Sequence, residues 1–563
     1  MNAMQVLSAA EMQACDRATT ERFGVPSIQL MRAASSAVAA LAGRQFPHAR
    51  RATVLCGKGN NGGDGMMAAR LLADAGVEVT TLLFGAPEQL TGDAAIAYSE
   101  LTSAKHGLIR RGGIHVVTDA RTLAEHNDAL NTDLIVDAVL GTGFKPPLKG
   151  LALEALKWLR GSCAPILAID LPSGWPADET SATAVGPVFP ADAVITFTAP
   201  KLAHVFGQLT RRWDQPVVVA PIGSPDAAII SALNLEWAGS ALALVQAPRA
   251  AIANKGNFGH VLVVGGTFGS SGGKAGAPAM TALAAMRAGA GLVTAAVPAP
   301  ALPVVASFAP ELMTWPLAAT KKGQIAAKNL DKTQIAELTA GKSVLAIGPA
   351  LGQGAETARF VAGLLGATKI PTVVDADALN ILAAKPALIK KLARRGERTL
   401  VLTPHPGEMA RLTGTTVAAV QAGRLETARD YAQRMSVILV LKGARTIIAH
   451  PDGRVAVNTS GNPGMAKGGS GDLLTGLIAG LLAQFPHDPA RAVEAAVYLH
   501  GLAADLAVHD SDEHTLLPTD SLAQLARAFQ SCVHDFDEDG KNGYVWLQGR
   551  CTQQPESAPR GPA

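Results

Sequence analysis

The sequence predicts an α/β protein of at least two domains, each built on a largely parallel sheet. Short apolar runs rich in β-branched residues alternate with Ala/Leu-rich stretches long enough for helices, the pattern of such sheets. At 563 residues the chain is too long for one ordinary core. Both halves also open alike, with a strand, a glycine-rich loop and a helix at 54–75 and again at 261–289. No residue-level repetition links the halves, so they read as a fusion and not a duplication.

In the first half the strands expected in order are ATVLC (52–56), VEVTTLLF (77–84), DLIVD (133–137), PILAID (165–170), AVITF (193–197) and QPVVVA (215–220). Proline and small residues thin the pattern at 221–227, which places a domain boundary near residue 225, and 228–254 reads as a connecting helix and loop. The second half offers HVLVV (260–264), LVTAAV (292–297), SVLAIG (343–348), TVVDA (372–376), TLVLT (399–403), VILVLKG (437–443) and RTIIAH (445–450). The domains expected are therefore 1–225 and 228–532. Residues 533–563 lack helical or strand period and are expected to form a mobile tail.

Composition excludes several classes. Hydrophobic residues make up 48% and charged residues 17%, as in a well-buried globular protein. A net charge of +3 with 4% aromatics argues against nucleic acid and against an acidic membrane surface. The five cysteines form no CxxC pair, so neither zinc nor a disulfide framework is expected, and a reducing cytoplasm fits. Glu11 and Asp16 interrupt any signal-peptide core, and Pro298, Pro300, Pro303 and Pro310 break the most membrane-like stretch.

The loop GKGNNGGDG (57–65) lies between a strand and a helix expected to start near Asp64. Its glycines let backbone N–H groups approach a ligand, and the helix N-terminus favours an anion. A tight turn would explain one such loop equally well. Two more polar loops follow strands, DAVLGTGFKPPLKG (137–150) after Asp137 and DLPSGW (170–175) at Asp170. Three together form the crevice at the carboxyl ends of strands where open α/β sheets bind ligands.

In the second half, GNPGMAKGGSGD (461–472) crowds glycines before the apolar helix LLTGLIAGLLAQF (473–485), with Asp472 in the first turn. Loop amides and the helix dipole make an anion hole for a phosphoryl group, and Asp472 is placed to take a proton from an attacking hydroxyl. A plain helix-terminal charge, worth about 0.3–1 kcal/mol, would not need so many glycines. His405 stands between Pro404 and Pro406 at a strand end; a single His could equally be packed in the core. Asp375, Asp377 and Asn380 read as supporting or helix-capping groups.

NNGGDG, DAVLGTGFKPP and DLPSG, in that order within about residues 5–223, resemble the signatures of the NAD(P)H-hydrate epimerase family, the YjeF N-terminal domain. The GGSGD string resembles the ribokinase-like superfamily. GKAGAPAMTALAAMRAGAGLVT (273–294), GPALGQG (348–354), VDADALN (374–380), TPHPGEMARL (403–412) and VLKGARTII (440–448) narrow it to ADP-dependent NAD(P)H-hydrate dehydratases over about 245–530. The resemblance implies a Rossmann-like three-layer N-terminal domain and a ribokinase-like C-terminal one. It implies repair of hydrated NADH and NADPH (NAD(P)HX): epimerisation of the R and S forms, then dehydration of the S form with ADP, giving AMP and phosphate. A homo-oligomer is expected.

The resemblance also assigns residues. Asn60, Asn61, Gly62, Gly63 and Asp64, with Gly141, Thr142, Gly143, Phe144, Lys145, Pro146 and Pro147, would hold the dinucleotide. Asp170 would be the catalytic carboxylate at the reacting ring carbon, giving and taking protons if its surroundings raise its pKa. Asn61, Asp137 and Ser173 would bind potassium, to which hard oxygens are suited. Ala277, Gly352, His405 and Asp472 would contact substrate in the second domain, with Asp472 as base. Lys442, Gly443, Ala444, Arg445, Thr446 and Gly471 would hold ADP, with magnesium on its phosphates. The chain departs from the family pattern at Ala350 and Arg445, where glycine is usual. A vitamin-precursor type of small-molecule kinase would explain GGSGD but not the NNGGDG half. A non-catalytic binding module, as in RNA-decay scaffolds, would be expected to lose Asn61, Asp137 and Asp170, and all three are present.

Overall fold

A computed structural model describes residues 3–103, 112–270, 272–393, 398–536 and 543–549. The chain divides into two compact units, Met4–Leu235 with the residues from Cys532 onward, and Glu236–Ser531 with the first few residues.

In the first unit the strands are β1 (Arg51–Cys56), β2 (Glu78–Phe84), β3 (Ile114–Val117), β4 (Leu134–Ala138), β5 (Ile166–Ile169), β6 (Ala193–Phe197) and β7 (Val217–Ala220). They are mutually parallel in the order β7-β6-β5-β4-β1-β2-β3. Strand order reverses between β4 and β1, so the loops after these two strands diverge and leave a crevice. Successive residues of β1 point to opposite faces: Val54 and Cys56 join one core cluster and Leu55 the other. Helices Ser27–Gln45, Asn60–Asp74 and Gly92–Ser103 cover the first face, and Gly150–Trp158 covers the second. The sequence pattern misses β3, a four-residue strand at the sheet edge.

The helix after β1 begins at Asn60, earlier than the expected start near Asp64. The NNGGDG glycines thus lie within its first turns. A Cβ at Gly62 would fall 1.9 Å from the Gly57 carbonyl oxygen, and one at Gly65 would fall 2.4 Å from the Ala138 side chain. These glycines let the helix press onto β1 and β4.

The second unit holds β8 (Leu235–Trp237), β9 (His260–Val264), a small hairpin β10 (Phe268–Gly269) and β11 (Gly272–Gly273), β12 (Leu292–Pro298), β13 (Met313–Leu317), β14 (Val344–Ile347), β15 (Thr372–Val374), β16 (Leu400–Leu402), β17 (Ile438–Leu441), β18 (Ile447–Ala449) and β19 (Val455–Val457). The main sheet runs β13-β12-β9-β14-β15-β16-β17-β18-β19-β8, parallel from β13 to β17 and then antiparallel. Helix Ser470–Gln484 packs on helix Gly276–Arg287 through glycines: a Cβ at Gly476 would meet the Thr281 carbonyl oxygen at 2.2 Å, and one at Gly480 the Ala285 oxygen at 2.6 Å. This close approach fixes the helix that carries Asp472. The unit boundary falls at Leu235/Glu236, later than residue 225, because part of 228–254 forms β8 and short helical turns. Among the described residues no helix is long and apolar enough to cross a membrane.

The expected mobile tail needs correction. Residues His534–Phe536 form β20 and Gly543–Gln548 form β21. β21 pairs antiparallel with β7 (Val545 opposite Val219, Trp546 opposite Val218), and β20 pairs with β21. Tyr544 and Trp546 enter the first unit's core, and the Tyr544 hydroxyl donates to the Ala37 carbonyl at 2.9 Å. The Gln548 amide donates to Thr210 Oγ1 at 3.0 Å, and Arg44 pairs with Asp535. A strand of six residues amid charged and glycine-rich neighbours gives little periodic signal, and its partner β7 is more than three hundred residues away in sequence. Residues 550–563, Cys551 included, lie outside the described residues.

Candidate functional site

In the first unit the loops after β1, β4, β5 and β6 surround a cleft of about 830 Å³. Asn60, Asn61, Asp64, Gly141–Phe144, Asp170 and Lys201 line it. That volume suits a large organic ligand. Lys145, Pro146 and Pro147 continue the loop without joining this lining, and Gly62 and Gly63 are buried within the helix. The Gly63 N–H already donates to the Gly59 carbonyl, so the predicted glycine cradle is largely spent inside the helix.

Asp170 ends β5 in the left-handed region, with φ 66°, unusual for a residue with a side chain. Its Oδ2 accepts from the Thr142 N–H at 2.6 Å and the Thr142 hydroxyl at 2.5 Å. Its Oδ1 accepts from Lys201 Nζ at 2.9 Å and Thr196 Oγ1 at 3.0 Å. A Cβ at Gly141 would fall 2.9 Å from Asp170 Oδ2 and 3.1 Å from Asn61 Cγ, so these three residues converge and 141 must be glycine. Burial opposes the Asp170 charge, but the Lys201 ammonium and the hydrogen bonds outweigh it and hold the carboxyl well below the usual carboxylate range. The surroundings thus lower the Asp170 pKa, so the raised pKa on which its giving and taking of protons was conditional is not what they supply.

Asp137, at the end of β4, is fully buried. It accepts from the Ser173 N–H at 2.8 Å, the Ser173 hydroxyl at 2.6 Å and the Val139 N–H at 3.2 Å. Burial nevertheless pushes it up to about 6, with those hydrogen bonds working the other way. The Asn61 amide nitrogen is buried without a partner. Among the described residues no cluster of His, Cys, Asp and Glu could hold a metal by those groups alone.

In the second unit the site residues gather at the carboxyl ends of β14, β15, β16 and β17 and at the start of helix Ser470–Gln484. Asp375 makes no capping bond to its helix. Instead, its Oδ1 accepts from Lys442 Nζ and from the Thr403 hydroxyl, both at 2.8 Å, and its Oδ2 accepts from the Thr475 hydroxyl at 2.9 Å. The capping role is therefore corrected: Asp375 is the buried anchor that aims Lys442. A Cβ at Gly471 would lie 3.4 Å from Lys442 Nζ, which places the ammonium at the helix N-terminus. Burial opposes the Lys442 charge, but Asp375 and Glu408 outweigh it and raise its pKa. Asp472 is pushed up to about 7, by burial first and then by Asp375.

Around this centre, Asp377 accepts from the Gly352 N–H at 2.8 Å, and Asn380 Oδ1 accepts from Arg411 at 2.9 Å. His405 is half-exposed and caps the following helix, its Nδ1 accepting from the Gly407 N–H at 3.0 Å, so it is not a core histidine. The Lys442 N–H donates to the Pro404 carbonyl, which joins the two loops. Met280, one turn beyond Ala277, lies against Gly469. Arg424 donates to the Ala444 carbonyl, steadying Gly443 and Ala444, and the Thr446 hydroxyl donates to the Gly443 carbonyl at 2.9 Å.

The two departures from the family pattern fall on left-handed backbone: Ala350 has φ 54° and Arg445 φ 53°. Glycine enters that region freely, whereas a side chain there costs roughly 1–2 kcal/mol. Arg445 is half-buried and donates to the Thr459 carbonyl at 3.0 Å, which ties its loop to the one before the glycine-rich turn. Burial lowers its pKa to about 10, opposed by Asp505.

Lys201, His204 and Thr196 escaped the sequence reading. The signal was present: Lys201 is the one acidic or basic residue other than His204 in the apolar run 193–210, directly beyond the strand AVITF. A charge in such a place must be paired. Asp505, which accepts from the Gly461 N–H and the Asn462 amide at 2.8 and 2.9 Å, lies in a long helix and carries no local signal.

The fold and these centres define a two-unit α/β enzyme with its sites at the carboxyl ends of parallel strands. Residues 27–203 match the family described as YjeF-related protein N-terminus, and residues 261–527 match that described as NAD(P)H-hydrate dehydratase. The chain is 41% identical over 529 residues to the bifunctional NAD(P)H-hydrate repair enzyme Nnr of Moorella thermoacetica, covering 92% of this chain and 95% of that one. With the protein of the same name from Escherichia coli it shares 34% over 541 residues, 94% and 95% of the two chains. An ADP/ATP-dependent NAD(P)H-hydrate dehydratase structure from Bacillus subtilis is 34% identical and covers 51% of this chain and 96% of its own, with a TM-score of 0.43. The chain belongs to the family of bifunctional NAD(P)H-hydrate repair enzymes.

Proposed function

We propose that the first unit interconverts the two epimers of hydrated NADH and NADPH, and that the second dehydrates the S epimer with ADP, releasing AMP and phosphate. The observation that carries the second activity is Asp472 at a glycine-rich helix N-terminus, next to Lys442 held by Asp375. Asp472 takes the proton of the substrate hydroxyl, which attacks the terminal phosphate of ADP. Phosphate then leaves where hydroxide would leave poorly, and the ring is restored. Lys442 and the helix-terminal N–H groups of Gly471 offset the phosphate charge. Magnesium brought on the nucleotide would supply further charge neutralisation. His405, Gly352 and Ala277 border the substrate, and Lys442–Thr446 border the nucleotide. The test is incubation with hydrated NADH and ADP, following the return of reduced-ring absorbance, with ATP in parallel. No return with either nucleotide would overturn this reading.

For potassium, the supporting observation is Asp137, whose buried charge is offset by hydrogen bonds and by no cation among the described residues. Its oxygens, with those of Asn61 and Ser173, suit an alkali cation. Asp137→Ala is expected to raise the potassium concentration for half-maximal epimerisation by about 10–100-fold, the scale on which metal sites respond to lost supporting groups. Dehydration of the S epimer should not change. Equal potassium response in the variant would remove the site.

A further inference from the structure

The cleft of the first unit contains a carboxylate that is not free to move a proton. Each of its oxygens already accepts two hydrogen bonds, Oδ2 from Thr142 N–H and Thr142 Oγ1 and Oδ1 from Lys201 Nζ and Thr196 Oγ1, so a proton on either would displace a donor. Its neighbour Lys201 is in a different position. Its side chain is 2% exposed yet borders the cleft, and its ammonium donates to Asp170 Oδ1 at 2.9 Å and Thr196 Oγ1 at 2.7 Å. An ammonium has three N–H donors, so one remains for a ligand. The backbone is locked to match. The Lys201 N–H donates to His204 Nδ1 at 3.0 Å, which leaves the His204 proton on Nε2 to be donated to the Asp170 carbonyl at 2.7 Å. Burial, and then the Lys201 charge, lower the His204 pKa to about 4, so the imidazole stays neutral and serves as a strut.

Resting on the epimerase reading of this unit, we propose that Lys201 is the catalytic proton carrier of the epimerisation. In the forward step the ring carbon–oxygen bond breaks and its electron pair leaves with oxygen, which takes a proton from the Lys201 ammonium and departs as water. The ring nitrogen lone pair fills the vacancy, and the resulting cation is stabilised by the Asp170 carboxylate. Water then adds to the opposite face of the carbon and returns its proton to the Lys201 amine. No oxidant or reductant is consumed, and the enzyme ends as it began. Asp16, Asp64 and Asp93 also border the cleft, and burial holds the Asp64 carboxyl well above the usual range, so Asp64 is the competing proton source.

The experiment supplies a single epimer of hydrated NADH without nucleotide and follows the other epimer by chromatography, with the buffer rate subtracted. Full-length wild type, K201R, K201M and D64N are compared. Arginine keeps the charge but does not give up its proton at working pH. K201R and K201M are both expected to lose about 10²–10⁴ of the epimerisation rate. The same preparations should keep a cooperative denaturant transition of unchanged slope for the first unit, which excludes its misfolding, and should dehydrate the S epimer with ADP at the wild-type rate. A K201R rate within about tenfold of wild type would show that charge suffices and overturn the proposal. So would loss of epimerisation in D64N with K201R active. If both Lys201 variants lose that first-unit transition, K201A is assayed with added methylamine: recovery of epimerisation upholds the proposal, and none overturns it. Failure of wild type to epimerise at all would instead overturn the epimerase reading, and the role of Lys201 with it.

Discussion

Asp472→Asn is expected to abolish most dehydration, by about 10²–10⁴ in rate, while epimerisation and ADP binding persist. The substitution keeps the shape and hydrogen-bonding capacity of the side chain and removes its basicity. Its helix-terminal charge is worth only about 0.3–1 kcal/mol. The fold does not favour this charge: burial and Asp375 push Asp472 from the ordinary 3.8 up to about 7, so stability is lost as pH rises between those two values and stays lost above about 7. The variant should therefore melt no lower than wild type at pH 8. Because the base acts when ionised, wild-type dehydration should rise with pH up to about 7 and level off above it. Near-normal turnover by a folded Asp472→Asn protein would sink the kinase-like mechanism.

Trp546→Ala is expected to destabilise the first unit by about 3–5 kcal/mol, since a large aromatic leaves a cavity in a packed core. Deleting the chain from Cys532 should cost more, because Tyr544 is lost too and β7 is left with an unpaired edge. Both changes are read as a lower denaturant midpoint for the transition that carries epimerase activity. It follows that a fragment ending near residue 225 lacks part of its own sheet. Such a fragment should epimerise poorly until a peptide of residues 532–549 is added. Unchanged melting of the truncated chain would show that β21 contributes nothing.

Much of the architecture was legible. The apolar strands with long helices between them produced β1, β2, β4, β5, β6 and β7, and β9, β12 and β14 to β17, because buried parallel strands write themselves as continuous β-branched runs, and the buried antiparallel β18 reads likewise. Strands at or next to the sheet edges did not. β3, β8, β13, β19, β20 and β21 are short or half-polar, and their pairing is a property of distant neighbours. The glycine-rich strings marked both sites for a reason that was only half right. In GGSGD the left-handed Gly469 opens a helix N-terminus beside Lys442, whereas in NNGGDG the glycines chiefly let a helix approach two strands.

By itself the sequence singled out the loops that carry Asp137, Asp170 and Asp472, since these stand at strand ends or beside glycine clusters. It determined the family as well, through strings of motifs whose order is specific. Only the tertiary structure decided what state those carboxylates are in. Asp170 meets the Lys201 ammonium and is held well below the usual range, Asp137 meets hydrogen-bond donors but is pushed up by burial, and Asp472 meets Asp375 and is pushed towards neutrality. Protonation depends on burial and on charges brought together from remote parts of the chain, and neither burial nor charge proximity is encoded in local spacing.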